Sequence, residues 1–148
     1  MKSGKLVLDT SAMQEDFFDE TSLIGIASSL SAHRFCWLLN SHFNLLLARA
    51  VDMDVCLHAK GEEEFQHFSV FQYCEPSSST QHLFYRLRNG KESLLPELKN
   101  LDYLWMIQSP QSEADAAQFA AHLRTMPEVQ LANLLVPQDL KNRAHLLV

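Results

Sequence analysis

The sequence predicts an α+β fold: two helices packed on one face of a mostly antiparallel β-sheet. Three observations carry that expectation. Strand-like segments follow one another through the middle of the chain, segments of helical periodicity flank them, and turn signals separate the strands at short spacing. The 148 residues, 47% of them hydrophobic and 20% charged, suit a single domain over 1–148 with its own core.

Leu6, Val7 and Leu8 have the pattern of a short edge strand. The acids Glu15, Asp16, Asp19 and Glu20 then form a solvated flank around Phe17 and Phe18, which anchor on the core. Leu23, Ile24, Gly25, Ile26 and Ala27 read as a buried strand, with Gly25 marking a bulge or the close approach of another backbone. Ser31 is placed to cap a helix running to about His42, whose apolar stripe is Phe35, Leu38, Leu39 and His42. Asn44 stops it. Arg34 and Trp37 fall beside or opposite that stripe, where they are candidates for contact with a partner.

Residues 45–51 and 53–57 look extended, as one bent strand or two short ones, and the Gly61 region is a turn. A strand follows over 65–74, with Phe65, His67, Ser69, Phe71 and Tyr73 on one face and Phe68 and Val70 on the other. The polar loop 76–80 joins it to 81–88, where Leu83, Tyr85 and Leu87 alternate with other residues, giving a β-hairpin. Asn89-Gly90 reverses the chain again. Pro96 then fixes a corner, because its ring sets φ and removes a backbone donor.

The strand over 101–107 is apolar on both sides, with Leu101, Tyr103, Trp105 and Ile107 facing one way and Leu104 and Met106 the other. It belongs at the centre of the sheet. Ser112, with Asp115 three residues on, has the pattern of a capping box for a second helix. Its stripe is Ala116, Phe119, Ala120, Leu123 and Met126, and Pro127 ends it. A last strand covers 129–136, and the tail Leu146, Leu147 and Val148 must dock.

Residues 95–103 also carry a resemblance. With Leu95 and Leu101 in place of Ile and Val, and Pro96, Glu97, Asp102 and Tyr103 as written, the stretch resembles the signature of the IPExxxVDY family of small bacterial proteins. The blocks 23–29 and 34–40 are similar to that family too. The resemblance implies one domain spanning the chain and brings no catalytic residues with it.

The function classes narrow by chemistry. A net charge of −6 without a basic run argues against a nucleic-acid partner, and no apolar run is long enough for a membrane span. Cys36, Cys56 and Cys74 are odd in number and widely spaced, which suits a reducing cytoplasm, as does the lack of a secretory signal pattern. The seven histidines show no ligand spacing; His67 and His82 facing across the hairpin would be the nearest approach to a metal pair. No metal or cofactor is expected. Phosphate-loop, dinucleotide and serine-nucleophile motifs are absent from the sequence.

Glu97 and Asp102 could form an acid and base pair, with Arg34 completing a small-molecule site. Against this, a carboxylate just after a proline turn and another at a strand entrance both have structural uses, and Tyr103 reads as a core aromatic with a bonded hydroxyl. The expectation is therefore a non-enzymatic protein that binds another protein or itself, a homodimer being suggested by aromatic strands whose second face lacks an assigned cover. The alternative is a ligand-binding domain or enzyme around Glu97, Asp102 and Arg34.

Overall fold

A computed structural model describes residues 16–58, 65–90 and 92–146. The expected strand at Leu6–Leu8, most of the Gly61 turn and the last two tail residues lie outside them. The main sheet has six strands: β1 (Thr21–Ala27), β2 (Ala48–Arg49), β5 (Val70–Cys74), β6 (Gln81–Arg86), β9 (Tyr103–Gln108) and β10 (Leu131–Leu135). Their order is β10-β1-β9-β6-β5-β2, and every neighbouring pair is antiparallel. Two small sheets pair β3 (Val55–His58) with β4 (Phe65–Phe68), and β7 (Arg88–Asn89) with β8 (Glu92–Ser93).

Helices α1 (Ala32–Phe43) and α2 (Ser112–Leu123) share one face of the main sheet, as the sequence predicts. Ser31 caps α1 by accepting from the Arg34 amide, and Asn44 ends it in the left-handed conformation, φ 55°. Phe35, Leu38 and Leu39 bury its inner stripe against Ile24, Ile26, Phe84 and Trp105. His42 does not join them; it is exposed at the last turn, with its ring against His122 of α2. The cap of α2 also differs from expectation. Gln111 holds the cap position without a side-chain bond, while the Ser112 hydroxyl turns inward to Ser22, 3.0 Å away.

Strand β9 runs between β1 and β6 and is buried on both faces. Tyr103, Trp105 and Ile107 face the helices, and Leu104 and Met106 face the second cluster, as their alternation predicts. Leu101 breaks the pattern. It packs with Leu104, because Asp102 and Tyr103 both stand opposite Ile26: the Asp102 amide donates to the Ile26 carbonyl and Tyr103 is its ladder partner. That extra residue is a bulge, and it flips the side on which the preceding residue points.

The second face of the sheet is covered by the chain itself. Val55 and Phe68 of the β3–β4 pair, Leu94, Leu95 and Leu101, and Leu140 and Leu146 close over Leu23, Leu83, Tyr85 and Met106. Phe71 and Phe84, the aromatics that suggested a self-pairing face, lie under the helices instead. The expected strand 65–74 is split at Ser69, so β4 serves a small sheet and β5 the main one. Gly25 is needed for side-chain room: a Cβ there would collide with Leu101 Cδ1 and come within 2.9 Å of Leu135 Cδ1.

Candidate functional site

The signature residues make a corner clamp. Pro96 opens a 3-10 turn, Pro96–Leu98, and the exposed Glu97 carboxylate accepts from both the backbone and side-chain amides of Asn142, each at 2.8 Å. Burial alone would raise the Glu97 carboxyl, but those bonds outweigh it and hold it below the usual carboxylate range. Asp102 accepts from the Ser28 amide at 2.9 Å and stands 3.6 Å from the Arg88 guanidinium. Tyr103 donates its hydroxyl to the Leu30 carbonyl at 2.5 Å, and burial pushes that hydroxyl's pKa up. The acids thus tie the C-terminal segment and the β1–α1 loop to the start of β9.

The expected constellation of Glu97, Asp102 and Arg34 is not assembled. A pocket of about 480 Å³ is lined by Asp102, Tyr103, Arg86, Arg88 and the β1–α1 loop, but not by Glu97 or Arg34. Arg34 and Trp37 lie on the outer side of α1, Trp37 being 69% exposed. His67 and His82 do not meet either. His82 pairs with Tyr73 across the hairpin and is fully buried, with its Nδ1 accepting from the Trp105 indole at 3.1 Å and its Nε2 2.7 Å from Glu75. Because an indole nitrogen only donates, the ring proton sits on Nε2 and points at Glu75. Among the described residues, no three His, Cys, Asp or Glu side chains are grouped to hold a metal.

The surface best equipped to contact a partner is the sheet edge at β10. Sequence reasoning placed a strand here but did not mark it as terminal. Ladder alternation fixes which backbone groups it presents. Ile26 turns its carbonyl to β9, since it takes the Asp102 amide, whereas Ala27 turns its carbonyl to β10 and takes the Gln130 amide. By the antiparallel rule, Leu131, Asn133 and Leu135 therefore bond β1, while the N–H and C=O of Ala132 and Leu134 point outward. No strand among the described residues pairs with that side.

Several of the side chains on it are apolar. Leu131, Leu134 and Val136 are 38%, 49% and 53% exposed, and no charged residue occurs from 129 to 138. An open groove of about 1060 Å³ begins at Leu134 and Val136 and continues past Phe18 and Ser22 to the first turn of α2. One guard is present: the Arg124 guanidinium reaches from the end of α2 to the Ala132 carbonyl at 2.8 Å.

The opposite edge is partly covered. Just before β2, the outward amide and carbonyl of Leu47 are both taken by the Asn40 side chain, at 2.9 and 3.2 Å. Arg49 pairs with Asp54, whose carboxylate also accepts the Val70 amide at 3.2 Å. Burial works to raise the Asp54 carboxyl, and the bonds from Arg49 and Val70 overcome it and hold it low.

No helix among the described residues is long and apolar enough to cross a membrane. Compared with protein-family models, curated proteins and solved structures, the chain matches none.

Proposed function

We propose that this chain is a non-enzymatic cytoplasmic protein that works by binding polypeptide, and that its β10 edge pairs with a second copy of itself. The observation that carries this is the uncovered run of outward backbone groups at Ala132 and Leu134, bordered by exposed leucines. Long apolar edges are usually blunted by charge, proline or cover.

The occupant follows from the strand's chemistry. Two copies of Leu131–Leu135, laid antiparallel about a two-fold axis at Asn133, set each Ala132 opposite the other copy's Leu134, so that both outward pairs exchange hydrogen bonds. With no charge from 129 to 138, the two paired segments set no like charges directly opposite one another. A carbonyl has two acceptor sites, so the Arg124 bond to Ala132 persists alongside the new one. Free Cys36, Cys56 and Cys74 accord with a reducing compartment. The residues at Pro96, Glu97, Asp102 and Tyr103 support kinship with the IPExxxVDY family, their bonds here being architectural.

Light scattering and sedimentation over a concentration series test the reading. A dimer is expected that Leu134→Lys converts to monomer with its far-ultraviolet dichroism unchanged. A wild-type chain monomeric up to about 1 mM, where association is worth only about 4 kcal/mol, would refute self-pairing.

A further inference from the structure

The β3–β4 pair brings a thiol and an imidazole together. Cys56 and His67 are direct partners in that ladder, so their side chains share a face, and Cys56 Sγ lies 3.2 Å from His67 Nδ1. Both residues are exposed. Asp54, two residues before Cys56, has its carboxylate held by Arg49 and the Val70 amide. The Asn89 amide fixes the His67 backbone from the other side by donating to its carbonyl at 2.8 Å.

The other two cysteines provide the contrast. Cys36 is buried inside α1, and burial pushes its thiol up to about 12. Cys74 is exposed, and its hydrogen bond among the described residues is from the Gln72 amide at 3.7 Å, a donor and not a base. Among the described residues, Cys56 alone of the three has both solvent access and a base within reach, the two requirements for a usable sulfur nucleophile.

We infer that Cys56 is a nucleophilic thiol served by His67, and that it is a site of covalent modification by hydroperoxides and soft carbon electrophiles. In the peroxide reaction, His67 Nδ1 takes the thiol proton while Sγ attacks the near oxygen. The S–O bond forms as the O–O bond breaks. Sulfur is oxidised to sulfenic acid, the peroxide is reduced to water or an alcohol, and the proton passes from His67 to the departing oxygen. With an alkyl halide the same proton goes to His67 and the halide leaves with the electron pair.

Competitive alkylation of the full chain with iodoacetamide, resolved by peptide mass spectrometry over a range of pH, reads all three thiols in one sample. Near neutral pH, Cys56 is expected to react about tenfold faster than Cys74, with Cys36 unreactive until the chain unfolds. His67→Asn should lower Cys56 to the rate of Cys74 and move its pH profile to that of Cys74, with dichroism confirming the fold. Hydrogen peroxide followed by a sulfenic-acid trap should label Cys56 first. Equal rates at Cys56 and Cys74 in the wild type, or an unchanged Cys56 rate in His67→Asn or in the milder His67→Gln, would overturn the assignment.

Discussion

The two edges of the six-stranded sheet have opposite designs. At β2 the strand is only two residues long, a 3-10 turn at Val51–Met53 follows it, and the Asn40 side chain occupies the outward groups of Leu47 just before it. At β10 the strand has five residues, no charges and, among the described residues, a single side chain over its outer backbone. Both edges face the same problem, since an unpaired strand is a template for another chain. That one edge solves it with Asn40, Arg49 and Asp54, while the other presents leucines, is the main reason for reading β10 as a contact surface.

A proline scan breaks the comparison most forcefully. Asn133→Pro removes an amide that bonds β1, and should destabilise the fold by about 3 kcal/mol in denaturant unfolding. Leu134→Pro removes an outward amide, so it should leave most of that stability intact and abolish the dimer. Equal losses from the two would mean that the outward assignment is wrong.

Next in size is the seal at β2. Asn40→Ala strands the Leu47 amide and carbonyl, with an expected loss of about 2 kcal/mol and faster hydrogen exchange at Leu47. An unchanged midpoint would show that water replaces the amide freely. Gly25→Ala, beside β10, forces Leu101 and Leu135 aside and should destabilise by about 1 to 2 kcal/mol.

Acid should loosen the β2 edge, along with the Glu97–Asn142 contact. The Asp54 carboxyl is held below its ordinary value, so its contribution is complete above the unfolded value of about 3.9 and is lost as the pH falls through the lower folded one. Exchange at the Val70 amide should rise over that window, and Asp54→Asn should remove the dependence. The smallest effect is expected from Arg124→Ala, which removes the charged side chain that each copy would bring to the shared edge and should tighten dimerisation a few-fold by sedimentation.

Much of this architecture could be read from residue order. The limits of α1 follow from Ser31 and Asn44, and the central place of β9 follows from apolar residues on both its faces, because each is a local signal with one physical cause. Leu101 and Ser69 defeated the same logic. A bulge at Asp102 interrupts the period of two, while at Ser69 the alternation of Phe68 and Val70 against Phe71 and Tyr73 holds but the strand is divided, and both origins are tertiary: β9 must meet Ile26, and β4 must leave the sheet that β5 joins. His67 across the hairpin was one candidate neighbour for His82, whose hydrogen-bond partners are Trp105 and Glu75. The outward groups of β10 were invisible for a related reason. An uncharged LANLL segment suits a buried strand as well as an exposed one, and only the sheet order separates them.

The Asn40 amide has a consequence for stoichiometry. By mimicking a neighbouring peptide unit at Leu47, it blunts the β2 side of the main sheet as a template, while the β10 side stays open among the described residues. Joining two such units through β10 would leave the blunted sides outermost, which disfavours further growth along the main sheet.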